Sequence, residues 1–147
     1  VGGAPAVVLY RLSNTLDAMW GYRTHQYEAF GKFSARIDDL LNLIPARLTA
    51  LSYGIVGNFK GAMQAWKAQF GQWYSPNAGV VMAAGAGALN LSLGGDAIYH
   101  GKTKSRPTLG HGQPPTPEDL THALTLIDRS VYLWGAIALI LAGLSIL

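Results

Sequence analysis

The sequence predicts an all-α, integral membrane protein with amphipathic, interfacial helices and a C-terminal transmembrane helix. Three observations carry that prediction. The last stretch, "SVYLWGAIALILAGLSIL" (130–147), is uncharged throughout. Only 13% of the residues are charged, about half the usual share in soluble globular proteins. Elsewhere apolar residues recur at helical spacing, and no stretch alternates cleanly enough to mark a sheet. At 147 residues the chain reads as a single domain, 1–147.

The N-terminal "VGGAPAVVLY" opens on Val1 without a charged leader region, so it does not read as a signal peptide. A processed product or a piece of a longer protein is the expectation. Next comes "RLSNTLDAMWGYR" (11–23). Wound at 100° per residue, it places Arg11, Asn14 and Thr15 on one face with Asp17 beside Asn14.

"ARIDDLLNLIPAR" (35–47) gathers Arg36, Asp38, Asp39, Asn42 and Arg47 on one half of a helix. Ile37, Leu41, Ile44 and Leu48 fall on the other half. Pro45 is expected to end the helix before Arg47. An amphipathic helix at a membrane surface has this pattern, and Arg36 and Asp39 at i, i+3 suit a simple ion pair. The functional alternative is that the adjacent carboxylates offer hard oxygen ligands for Mg²⁺, with arginines placed for phosphate. A single ion would then need a further ligand, because Asp38 and Asp39 project about 100° apart.

Two apolar stretches follow, "LTALSYGIVGNF" (48–59), extended to 43 if Leu43 and Ile44 join it, and "AGVVMAAGAGALNLSLGG" (78–95). Each is a candidate to span, re-enter or pack inside the protein. Between them Phe59, Met63, Trp66, Phe70 and Trp73 recur at helical spacing, a stripe that reads as packing rather than a cofactor box. "YSPNAG" (74–79) sets Ser75 and Asn77 around Pro76. A turn and helix cap explains it without any ligand; substrate contact is the alternative.

Gly and Pro punctuate "HGKTKSRPTLGHGQPP" (100–115), which reads as a polar loop. Its glycines, with those of "LGGD", lie near Tyr99, Lys102, Lys104 and Arg106, a composition that suits an anion held by backbone N–H groups. In "PTPEDLTHALTLIDR" (115–129), Thr116 is the expected cap, Pro117 the first helical residue and Asp119 the capping-box partner. Leu120, Leu124 and Ile127 share a face, so one helix is expected to run unbroken into 130–147. That final segment approaches the ~20 apolar residues a spanning helix needs, and Tyr132 and Trp134 sit where an interfacial belt would place them.

Several function classes are excluded. A net charge of +3 without a basic, aromatic-studded patch gives no argument for nucleic acid. With no cysteine there are neither disulfides nor thiolate metal sites. Walker, HExxH and GxSxG motifs are absent. His25, His100, His111 and His122 lack metal-ligand spacing. If 43–59 and 78–95 both cross, eight of the eleven Lys/Arg fall on the side shared by 11–42 and 96–129. The positive-inside rule then makes that side cytoplasmic.

Four blocks, "NTLDAMWGYR", "GKFSARIDDLLNLIPARLTAL", "SPNAGVVMAAGAGALNLSLGG" and "RPTLGHG", follow one another in this order. In that order they resemble the CbiB/CobD family of cobalamin biosynthesis, adenosylcobinamide-phosphate synthases of the bacterial inner membrane. The resemblance runs from about Pro5 through the final helix and covers only the C-terminal half of the family's chains. It implies a multi-pass membrane protein with its site facing the cytoplasm, completed by the other half or another subunit. The implied reaction is an ATP-dependent amide ligation of (R)-1-amino-2-propanol, or its O-phosphate, to adenosylcobyric acid, with Mg²⁺.

Mapped by motif, the resemblance implies Asp38 and Asp39 as Mg²⁺ ligands or organisers of the amine, with Arg36 beside them. Arg36, Arg47 and Arg106 are implied for phosphate or for corrin carboxylate and amide groups, and Asn14, Asp17, Asn42, Ser75 and Asn77 for positioning substrate. One site should gather "ARIDD" and "SPNAG", so 43–59 or 78–95 is expected to be re-entrant or buried rather than a plain span. The competing reading is a noncatalytic membrane scaffold or regulatory subunit of the AmpE-like type.

Overall fold

The computed structural model describes residues 3–20, 28–99 and 102–145. Five helices account for most of them: α1 (Gly3–Trp20), α2 (Glu28–Val56), α3 (Phe59–Gln69), α4 (Pro76–Ala88) and α5 (Asp119–Leu144). The chain divides into two compact units, Val1–Pro45 and Ala46–Leu147.

The all-α expectation needs one correction. Between α4 and α5 lie four short strands, β1 (Ser92–Leu93), β2 (Ala97–Tyr99), β3 (Lys102–Lys104) and β4 (Leu109–Gly110). β1 pairs antiparallel with β4, and β2 with β3. At two or three residues each, none is long enough to show a period of two.

Pro45 does not end α2. Proline removes one i→i−4 bond, yet the helix continues through "ARLTALSYGIV", whose Ala46 and Ala50 are buried. In the first unit the expected segregation is present, but its outer and inner faces are reversed relative to a soluble helix. Leu40 is 69% and Ile44 67% exposed, whereas Asp38, Asp39 and Asn42 are half-buried. The leucines face outward, whereas Asp38, Asp39 and Asn42 face inward and Arg36 stays exposed.

The second unit is built on α3 against α4. Ala50, Ala62, Val80, Ala84, Ala88 and Leu126 form one buried cluster, and Ala65, Ala83 and Leu109 a second. Small residues let the backbones touch. A Cβ added at Gly61 would strike the Gly87 carbonyl oxygen, and one at Gly87 would strike that of Gly61. The stripe resolves into packing for Met63, Trp66 and Trp73, while Phe59 and Phe70 stay exposed.

The 78–95 stretch is thus neither a span nor one helix. α4 ends at Ala88, is 13 residues long and is largely buried, whereas a crossing helix takes about 20 residues. Among the described residues only α5 is long and apolar enough to cross a membrane. As expected it is one unbroken helix from Asp119 to Leu144, and its buried residues are Leu126 and Ser130. The expected cap is altered. Thr116 donates to Asp119 Oδ2 from both its N–H and its hydroxyl, each at 2.8 Å. Pro117 and Glu118 form a turn before the helix. The backbone N–H of Thr116, its hydroxyl and then His122 hold the Asp119 carboxyl below its ordinary range, ahead of the uncharged stretch.

A side chain fastens β4 to α3. The Gln69 amide donates to Gly110 O at 2.9 Å and accepts from Gly110 N at 2.7 Å, all of it buried. Gly110 has φ +88°, and a Cβ there would strike the Leu91 carbonyl, so glycine is required by both conformation and space. Gln69→Leu keeps the size but strands a buried donor and acceptor, at a cost of about 2 kcal/mol or more. The expected outcome is a clear drop in melting temperature of the detergent-solubilised protein followed by circular dichroism; an unchanged melt would show that the clamp contributes nothing.

Candidate functional site

Each unit carries one polar cluster containing residues singled out in the sequence. In the first unit Asp38 and Asn42 lie one turn apart on α2. Asn42 Nδ2 donates to Asp38 Oδ2 at 2.9 Å and to the Asp38 carbonyl at 3.0 Å. The Tyr10 hydroxyl of α1 donates to Asn42 Oδ1 at 2.7 Å. This chain of bonds fixes the Asn42 amide at both ends and aims one carboxylate oxygen of Asp38 along the helix. Asp39 is half-buried, and Arg36 and Asn14 are exposed. The Asp17 side chain lies outside the described residues.

Tyr10 was not legible as a partner. It lies 32 positions from Asn42, and a tyrosine in an apolar N-terminal run gives no sign of its target. Two serines of this unit, Ser13 and Ser34, bury their hydroxyls without a hydrogen-bond partner among the described residues.

The second cluster is centred on Arg47. Its Nη1 donates to Asn77 Oδ1 at 2.6 Å across 30 positions of sequence, and the guanidinium lies over the Phe70 ring, 6.0 Å from its centroid. Asn77 is only 6% exposed. Local chemistry puts it there: Ser75 caps α4 by accepting from Ala78 N at 3.3 Å, and Pro76 occupies the first turn. Asn77 therefore enters the helix buried. A charge-assisted bond on one side and an aromatic face on the other fix the plane of the guanidinium. Such a group is suited to a carboxylate or phosphate.

The capping explanation holds for Ser75, whose hydroxyl is engaged with the α4 backbone. Arg106 sits between β3 and β4 with a half-buried side chain, and its backbone pairs both ways with Gly95 at 3.2 Å. The side chains of Tyr99, Lys102 and Lys104 lie outside the described residues. The glycines of "LGHG" pack closely: Gly110 abuts Leu91 and Gly112 abuts Asn90. Among the described residues no group of three or more His, Asp or Glu is placed to hold a metal ion.

The family model for the CobD/Cbib protein matches residues 1–127. The chain belongs to this family. Among its CobD relatives, the cobalamin biosynthesis protein CobD of Chromobacterium violaceum is 57% identical over 137 residues, 93% of this chain and 44% of that protein. CobD of Stutzerimonas stutzeri is 58% identical over 134 residues, 91% of this chain and 44% of that protein. CobD of Mycobacterium tuberculosis is 47% identical over 129 residues, 84% and 41% respectively. The chain spans less than half the length of these curated CobD relatives. No solved structure matches it.

Proposed function

We propose that the chain contributes to cobalamin biosynthesis as part of an ATP-dependent ligase. The enzyme joins (R)-1-amino-2-propanol, or its O-phosphate, to a propionate carboxylate of adenosylcobyric acid. The observation that carries the reading is the Arg47–Asn77 pair, a part-buried, charge-assisted contact between two residues within the stretch matched by the CobD family model.

In this reading the guanidinium of Arg47, held flat by Asn77 and Phe70, binds the anionic part of a substrate. Asn42 orients Asp38 so that its carboxylate accepts from the ammonium or hydroxyl of aminopropanol, or serves as a metal ligand. Asp39 supplies a second hard oxygen. Arg36, Arg106, Asn14, Asp17 and Ser75 are proposed to add charge and hydrogen bonds around the substrates. The two adjacent carboxylates fit a Mg²⁺ that arrives with nucleotide phosphates, since that ion is usually held by one or two carboxylates plus phosphate oxygens and water. When bound, Mg²⁺ would neutralise phosphate charge.

The outward leucines of α2 and the exposed apolar length of α5 support a place in the bacterial inner membrane, with the polar residues toward the cytoplasm. The rest of a full-length relative, or a second subunit, is the proposed partner that completes the site.

Complementation of a synthase-null strain tests the reading. The protein carrying Asp38→Ala is expected to lose rescue, and Asp39→Ala to weaken it severely, with membrane levels unchanged by immunoblot. Rescue by both at the unsubstituted rate would remove these carboxylates from the mechanism and leave a scaffold as the better description.

A further inference from the structure

Where α3 begins, α4 ends and β4 turns away, the second unit holds a polar cavity of about 270 Å³. That volume lies at the small end for ligand pockets, suited to a compact polar group. Lys60, Gln64, Asn90 and His111 line it. No carboxylate is among the lining residues, so the field inside is set by an ammonium, an imidazole and amides.

The floor is bare backbone, formed where Gly61 and Gly87 meet. Asn58 adds an oriented amide. Its Oδ1 accepts from Gly61 N at 3.1 Å, which fixes the amide's sense and leaves Nδ2 as the end available to donate. Donor-bearing side chains from α3, from the turn after α4 and from the loop after β4 therefore line one cavity whose lining residues include no carboxylate. His111 is held in place through its neighbour, because both peptide groups of Gly110 are fixed by Gln69.

We infer that this cavity binds a phosphate group. A tetrahedral oxyanion offers acceptors in several directions, matching donor groups on α3, on Asn90 in the turn after α4 and on His111 in the loop after β4, whereas a metal cation finds no hard anionic ligand there. The site is distinct from Arg47 and Asn77, and the inference does not rest on the ligation reading.

The test uses the protein in phosphatidylcholine nanodiscs, titrated with inorganic phosphate and pyrophosphate by calorimetry and ³¹P line broadening. Saturable binding is expected, weakened about tenfold or more by combined Lys60→Gln and His111→Gln and less by Gln64→Leu, with melting temperatures unchanged. The same variants are compared for binding to nanodiscs doped with phosphatidylglycerol. Sensitivity to that lipid would identify a headgroup phosphate as the source; sensitivity to free phosphates alone would identify a soluble phosphate compound. No saturable binding of either kind, or equal binding by folded variants, overturns the inference. That result would leave the Arg47–Asn77 reading untouched.

Discussion

In the proposed ligase, Arg47→Ala is expected to reduce the rate of ligation about 100-fold or more, the usual scale for losing a fixed donor to developing charge. Arg47→Lys should recover little of it. An ammonium keeps the charge but has no planar fork to lie between the Asn77 amide and the Phe70 ring. Asn77→Leu separates positioning from charge. It retains the bulk and the arginine while removing the acceptor 2.6 Å from Nη1. Its expected signature is a fall in kcat with the protein still folded, because the guanidinium remains but is no longer aimed. Steady-state kinetics in membranes, paired with melting curves, distinguish this from collapse. Full activity in Arg47→Lys would refute a role for the fixed plane.

Gly87→Val should be severely destructive to the α3–α4 packing of the second unit. The added Cβ would run into the carbonyl oxygen of Gly61 and lie 2.7 Å from its carbonyl carbon and 2.9 Å from the Ala65 Cβ. Backbone cannot swing aside as a flexible side chain can, so α3 must lift off α4. Overpacking typically costs about 1–3 kcal/mol and occasionally more, and here the obstacle is main chain on both sides. Little folded protein is expected after solubilisation. Gly85→Ala, two residues away, is the contrast. Its Cβ would meet only the Tyr53 ring at 3.4 Å, and alanine favours a helix over glycine by about 0.5–1 kcal/mol. A melt equal to or above that of the unsubstituted protein is expected. Equal loss in both variants would show that the α3–α4 seam is not what limits stability.

How much of this was legible beforehand differed from element to element, for physical reasons. α5 announced itself because an uncharged run ending beside Asp128 and Arg129 is a local property of sequence. Ser75 and Pro76 were readable because capping acts within three residues. β1 to β4 were not, since strands of two or three residues carry no alternation, and β1 and β4 exist only through a distant pairing, as with Ser92 and Gly110. The continuation of α2 past Pro45 defeated a local rule because flanking helix formers and two buried alanines outweighed one missing hydrogen bond. Among the site candidates, the polar face of "ARIDD" followed from periodicity, but its half-burial beneath exposed leucines did not. Periodicity says which residues share a side and is silent on which side meets solvent. Arg47 and Asn77 were each singled out, yet their contact needed the fold, as did the Tyr10 and Phe70 contacts.

The Gln69 clamp has an entropic consequence. A long connection between α4 and α5 would ordinarily sample many shapes, and any ligand gripping it would have to freeze them. By fastening Gly110 to α3 at both its donor and its acceptor, one glutamine splits that connection into two shorter loops whose ends are already joined when folding is complete. The ordering cost of the "RPTLGHG" segment is thereby assigned to folding rather than to ligand capture. Arg106 and His111, on either side of the fastened peptide, are thereby held as parts of a preset frame.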